Sequence, residues 1–197
     1  MSRPAATRRS RDDGFTLVEL MVAIALFSLV MIAVGGVLIS SLRADSTVRS
    51  VTTSTTDGQL AVSVIQNAVR NSSAVFVEAS DDGDSFFATV RTVTGANPRC
   101  VAWFYDATDS TIYQQQSASE IDPPEPGSLG GEWTSMSAGI VADETAAGVP
   151  QAVFESAGSR GLNVRFTADA EVGSGSLLST TITGQAPPSN ESPQCFS

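Results

Sequence analysis

The stretch GFTLVELMVAIALFSLVMIAVGGVLISSL, residues 14–42, decides how the rest of the chain is read. It carries one carboxylate, Glu19, and no other charge before Arg43. The run Leu20 to Leu42 holds 23 uncharged residues. As a helix rising roughly 1.5 Å per residue it measures about 35 Å, against a hydrocarbon core of about 30 Å, so it is long enough to span a membrane. Glu19 is the anomaly. A carboxylate left in hydrocarbon costs about 2.5 kcal/mol or more, so such a residue faces a partner rather than lipid.

On the N-terminal side four of the chain's cations, Arg3, Arg8, Arg9 and Arg11, precede the apolar run. The excess of positive charge assigns this end to the cytoplasm and everything from Arg43 onward to the far side. An ordinary secretory signal peptide is the alternative, with an apolar region of roughly 7 to 15 residues followed by an A-x-A-like cleavage site. Here the run is longer and no such site follows it.

The remaining chain is acidic. The 197 residues carry a formal net charge of −10, and all eleven cations are Arg. Such a surface repels phosphate backbones, so no nucleic-acid partner is expected unless Arg91, Arg99, Arg160 and Arg165 converge on one face. There is no His, which removes the commonest general base and the commonest zinc ligand. No G-x-S-x-G or G-x-x-x-x-G-K-[ST] motif occurs either, and no catalytic residue is assigned.

The residues G-F-T-L-V-E-L, with Gly14, Phe15 and Glu19 after a short basic leader and ahead of a long apolar helix, resemble the cleavage and methylation signature of type IV pilin-like prepilins. The resemblance covers residues 1 to about 42. It implies that a prepilin peptidase cuts between Gly14 and Phe15 and methylates the new amino group of Phe15. It further implies that Glu19 is an assembly-docking charge that meets the terminal amine of a neighbouring pilin subunit. Helical spacing agrees with this, because Phe15 and Glu19 are i and i+4 and share one face.

Gly35 and Gly36 interrupt the apolar helix, where each Gly costs up to about 1 kcal/mol relative to Ala. Two readings stay open for them. One is a hinge, of the kind pilin-like helices often carry here; the other is a packing notch, with Gly36, Ser40 and Ala44 in a small-residue row.

Past the membrane, Val48, Val51, Thr55, Gly58, Val62, Ile65 and Val69 recur at helical spacing. The intervening SVTTSTTDGQ, residues 50–59, is rich in β-branched and turn-forming residues, so a break is expected at Asp57-Gly58. From Ser73 the period shifts toward two. Strands are expected at Ala74–Ala79, Phe86–Val93, Cys100–Tyr105, Thr111–Gln116, Gln151–Ser156, Gly161–Ala168 and Leu177–Gly184, the first four as a meander. SASEIDPPEPGSLGG, residues 117–131, reads as a long loop. The run Trp103, Phe104 and Tyr105 reads as core.

The order of these elements is similar to J-type minor pseudopilins of type II secretion and to related minor type IV pilins. The expected fold class is α+β, a long N-terminal helix packed on an antiparallel sheet. The divisions are a cleaved leader at 1–14, a transmembrane and filament-core helix at 15–42, an exported amphipathic continuation at 43–72 and an exported β-rich domain at 73–197. The expected function is that of a minor pilin or pseudopilin held in the cytoplasmic membrane by one pass, then placed in a surface or periplasmic filament. A tip adhesin, a DNA-uptake subunit or a membrane-anchored β-domain with no filament are the alternatives.

Two site readings remain. Cys100 and Cys195, both on the exported side, read as a disulfide, with two free thiols as the alternative. Asp81, Asp82 and Asp84 surround a turn and form a candidate calcium site, although their spacing does not match an EF-hand and Asp-rich turns are common without metal. Apart from that ion no cofactor is expected. Asn71 and Asn190 begin N-x-S patterns short enough to occur by chance.

Overall fold

The structure is a computed structural model that describes residues 16–81, 83–92, 98–145, 149–186 and 195–196. The chain divides into two compact units, Met1–Asp45 and Ser46–Ser197. One helix, α1 (Leu17–Arg70), begins in the first and ends in the second. Among the described residues nine strands follow: β1 (Ser72–Ala79), β2 (Phe86–Thr92), β3 (Arg99–Asp106), β4 (Thr111–Ser117), β5 (Thr134–Ser137), β6 (Ile140–Val141), β7 (Phe154–Ser156), β8 (Gly161–Ala168) and β9 (Ser176–Thr183).

In the first unit the described part of α1 is exposed along its length, as an apolar helix awaiting lipid or neighbours must be. The helix continues without a break through Gly35 and Gly36, and neither glycine has an atom within 4 Å of where a Cβ would stand.

In the second unit β1 to β5 form an antiparallel meander, β1-β2-β3-β4-β5. The second sheet centres on β8. Its one edge pairs along its whole length with β9, and its other edge is shared end to end by β6 and β7. Residues Ile65 and Val69 of α1, with Val62 and Ala68 beside them, pack into one core with the inner faces of both sheets. Trp103, Tyr105, Phe154, Leu162, Val164 and Phe166 fill that core.

The expected break at Asp57-Gly58 does not occur, since α1 runs unbroken to Arg70. Local propensity is overridden by tertiary contact. Gly58 sits where a Cβ would meet Leu178 Cδ1 at 2.7 Å and Ala168 Cβ at 3.1 Å, so the glycine is what lets the helix lie against β8 and β9. The hydroxyls of the weak segment also find partners. Ser54 and Thr56 donate back to Val51 O and Thr52 O, Ser50 Oγ accepts from Val172 N at 3.1 Å, and Thr55 bonds Ser176 at 2.8 Å. The buried stripe is Gly58, Ala61, Ile65 and Val69, while Val48 of the expected stripe is exposed.

Strands β2 and β3 are buried on both faces, which is why they read as apolar runs rather than as alternation. Their second face carries a smaller core of Phe87, Cys100, Ala102, Phe104, Ile121 and Cys195. The loop at 117–131 supplies the cover. Trp133 meets Phe87 edge-on and Phe196 stacks on Phe76 with ring centroids 5.5 Å apart. Asp106, fully buried at the end of β3, fastens this layer: its carboxylate accepts from Thr108 N at 2.9 Å, Thr108 Oγ1 at 2.6 Å and Gly127 N at 2.8 Å.

Two strands lie where none was expected, Thr134–Ser137 and Ile140–Val141. Both are too short to show a period. The strand expected over Gln151–Ser156 is regular only over Phe154–Ser156. Before it Glu144 and Pro150 form an isolated bridge, and Pro has no N–H to continue a ladder.

Candidate functional site

The described chain begins at Thr16, so the structure shows how the helix starts but not the Gly14-Phe15 bond, whose two residues lie outside the described ones. Thr16 caps α1. Its hydroxyl accepts from Glu19 N at 3.3 Å and its carbonyl accepts from Leu20 N at 3.2 Å. Thr16-Leu17-Val18-Glu19 is thus an S/T-x-x-E capping sequence, with Glu19 at its third helical position. The reading from composition and apolar length passed over this threonine, although the T-x-x-E spacing was visible.

The cap changes the physics of Glu19. The helix N-terminus carries roughly half a positive elementary charge, and a carboxylate in the first turn is stabilised there by about 0.3–1 kcal/mol. That does not match the several kcal/mol cost of an unpaired carboxylate at membrane depth. Among the described residues no ion pair reaches Glu19, whose side chain is exposed. One helix of the described chain, Leu17–Arg70, is long and apolar enough to cross a membrane.

Cys100 and Cys195 are joined in a disulfide, with Cα atoms 5.4 Å apart, and both are buried. The bridge ties the C-terminal end to the centre of the first sheet. Arg91 lies alongside, buried on the same strand face, and its Nη1 donates to Ser73 Oγ at 3.2 Å.

The acidic turn is organised by serines. Gly83, at φ 77°, donates to Ser80 O, Ser80 N donates to Ser85 O, and Ser85 N donates to Ser80 Oγ at 3.1 Å. Asp81 and Asp84 flank this turn and Asp82 lies outside the described residues. Among the described residues no group of three potential ligands gathers closely enough to hold a metal ion. A shallow groove next to the turn has a volume of about 350 Å³ and an acidic rim of Glu78, Asp81 and Glu125 over Phe87 and Phe104.

Arg91, Arg99, Arg160 and Arg165 do not make one open basic patch. Arg91 is buried, Arg160 Nη1 donates to Ala186 O at 3.2 Å, and Arg165 is paired with Asp143 through Nε at 2.8 Å. Arg91 and Arg99 stand on the first sheet and the other two beside or on β8.

Residues 9–35 match the family described as prokaryotic N-terminal methylation motif. The match spans the end of the basic leader from Arg9, then Gly14, Phe15, Glu19 and the apolar helix as far as Gly35, and it supports a type IV pilin-like prepilin. Such a motif implies processing by prepilin peptidase and assembly with other pilin subunits in a membrane. The comparisons with curated proteins and with solved structures each return no match.

Proposed function

We propose that this chain is a minor pilin or pseudopilin, a structural and assembly subunit of a type IV pilus or type II secretion-like filament. Prepilin peptidase cuts it between Gly14 and Phe15 and methylates Phe15. The helix then holds it in the cytoplasmic membrane by a single pass, N-terminus cytoplasmic and β-domain exported, until it enters a surface or periplasmic filament. It has no catalytic role and no resident cofactor. The order of its elements along the sequence, which resembles that of J-type minor pseudopilins and related minor pilins, favours a minor over a major subunit. The DNA-uptake alternative lacks the convergent arginines it needs.

The observation that carries the reading is Glu19, an exposed carboxylate in the first turn of an apolar helix, within the matched motif and with no ion pair among the described residues. A methylated amine at Phe15 of a neighbouring subunit supplies the missing cation. Replacing Glu19 by Ala in the native host tests this. The variant is expected to stay in the membrane fraction and to be lost from sheared filaments and from pull-downs of sibling pilins. Incorporation at the wild-type level would remove the docking role. Quantifying the chain against the most abundant pilin in purified filaments tests the minor assignment, and equal abundance would make it a major subunit.

A further inference from the structure

The sheets of the exported unit end in several edges, and all but one are blunted. Strand β5 has four residues and meets β4 through a register shift. Strands β6 and β7 have two and three residues. Strand β1 carries Glu78, a register shift near Ser72 and the close approach of β7. These are the devices by which proteins keep a sheet edge from recruiting another strand. Strand β9, SLLSTTIT, has none of them: eight residues, no charge, no Pro, no Gly, and unshifted pairing with β8 from Ser176 to Thr183.

Among the described residues no strand pairs with the outer edge of β9, and no backbone hydrogen bond outside the β8 ladder reaches residues 176–183. About half of the backbone groups of a strand paired on one side point away from that side. The open edge is about 27 Å long, at roughly 3.4 Å per residue. Its side chains alternate, with Leu178, Thr180 and Ile182 turned toward the core side and Leu177, Ser179, Thr181 and Thr183 exposed. On the helix side β9 is flanked by uncharged groups, Thr55 against Ser176 and Gln66 against Thr180.

We infer that β9 is a strand-addition site, and that its occupant is an extended, uncharged segment of a different filament subunit. This rests on the reading of the chain as a pilin-like subunit. Charge sets the chemistry of the occupant, because a Lys or Glu on the helix side of an added strand would lie against Thr55 and Gln66, neither of which carries a charge to pair with it. Geometry argues against two-fold pairing of β9 with β9 of a second copy. The helix contacts Ser176 from Thr55 and Thr180 from Gln66, so α1 runs parallel to β9. A two-fold pairing of β9 with β9 would set the two strands antiparallel, and with them the two helices. The two chains would then enter the dimer from opposite ends, whereas subunits anchored in one membrane enter from the same side.

Hydrogen exchange on the full chain tests the inference, comparing envelope preparations that contain the assembled filament with the chain purified in detergent. The amides of residues 176–183 that exchange fast in the purified chain are expected to slow by about tenfold or more on assembly. Ser179→Lys and Leu177→Lys, both at exposed positions, are expected to abolish that slowing while leaving the disulfide, the melting temperature and Phe15 methylation as in wild type. Unchanged exchange of these amides in an assembled sample would overturn the inference. So would a photo-crosslink from position 179 that joins two copies of this chain. A chain whose Phe15 is never freed would instead overturn the underlying reading, and that outcome is read separately from the N-terminal peptide in the same digest.

Discussion

Glu19 concentrates the argument at the scale of single residues, because two physical effects act on it with different sizes. The cap at Thr16 and the helix dipole favour its charge by about 1 kcal/mol or less, and desolvation opposes it by several. In the proposed function the terminal amine of a neighbouring subunit supplies the charge that offsets this difference. Tyr105 provides a residue-scale test of the core between the two sheets. Burial is the main cause that raises its pKa above the ordinary 10.0, with Asp106, Asp84 and Asp109 adding and the backbone at Ala142 opposing. A folded pKa above the unfolded one gives stabilisation that is complete below pH 10.0 and lost as pH rises through the higher folded value. The melting temperature of the β-rich unit is therefore expected to fall steeply on the alkaline side. Tyr105→Phe should flatten that limb, at the cost near neutrality of the bond to Ile140 O, about 0.5–1.5 kcal/mol. An alkaline limb unchanged by the substitution would refute the assignment. The cysteine pair was legible in the sequence because cysteine is a rare residue type in its surroundings. Asp106 was not, because one Asp among turn residues gives no sign that it will be buried and accept three hydrogen bonds.

At the scale of elements, the helix shows where sequence patterns mislead. Residues 50–59 have poor helix propensity, yet they are helical because the loop before β9 and β9 itself bind their hydroxyls and Gly58 lets the surfaces meet. A larger side chain at Gly58 should therefore act through packing and not through propensity. Gly58→Leu gains up to about 1 kcal/mol of helix propensity. It also drives a side chain into Ala168 and Leu178, an overpacking that costs about 1–3 kcal/mol. A net loss is expected, read as a lower urea midpoint with an unchanged slope. A rise in the midpoint would mean that the helix does not press on the sheet there. The long strands with strong alternation or continuous apolar character, β1 to β4, β8 and β9, were legible to within a residue or two. The short β5 and β6 owe their existence to the neighbours they pair with, which no local pattern records.

For the molecule as a whole, the disulfide and the membrane helix divide the work. The bridge closes 95 residues and holds the second core layer, including the stack of Phe196 on Phe76, against the meander. In the chain-entropy picture a loop of that length contributes about 4–5 kcal/mol. Cys195→Ser is expected to lower the stability of the β-rich unit by about 2–5 kcal/mol and to expose the Phe87 and Phe104 layer to dye binding. A variant as stable as wild type would show that the aromatic cover suffices alone. The division into an apolar helix and a β-domain was readable from composition and period. The arrangement into two sheets was not, because β6 and β7 share one edge of β8 and nothing local encodes that sharing. The central claim concerns the helix, and its most direct test is the mass of the N-terminal peptide of the mature protein, taken from envelope fractions with and without the host's prepilin peptidase. The account predicts a chain that begins at an N-methylated Phe15 and reverts to the uncut form when the peptidase is absent. A chain that keeps Met1 in both samples, or is cut near Ala44, would contradict it.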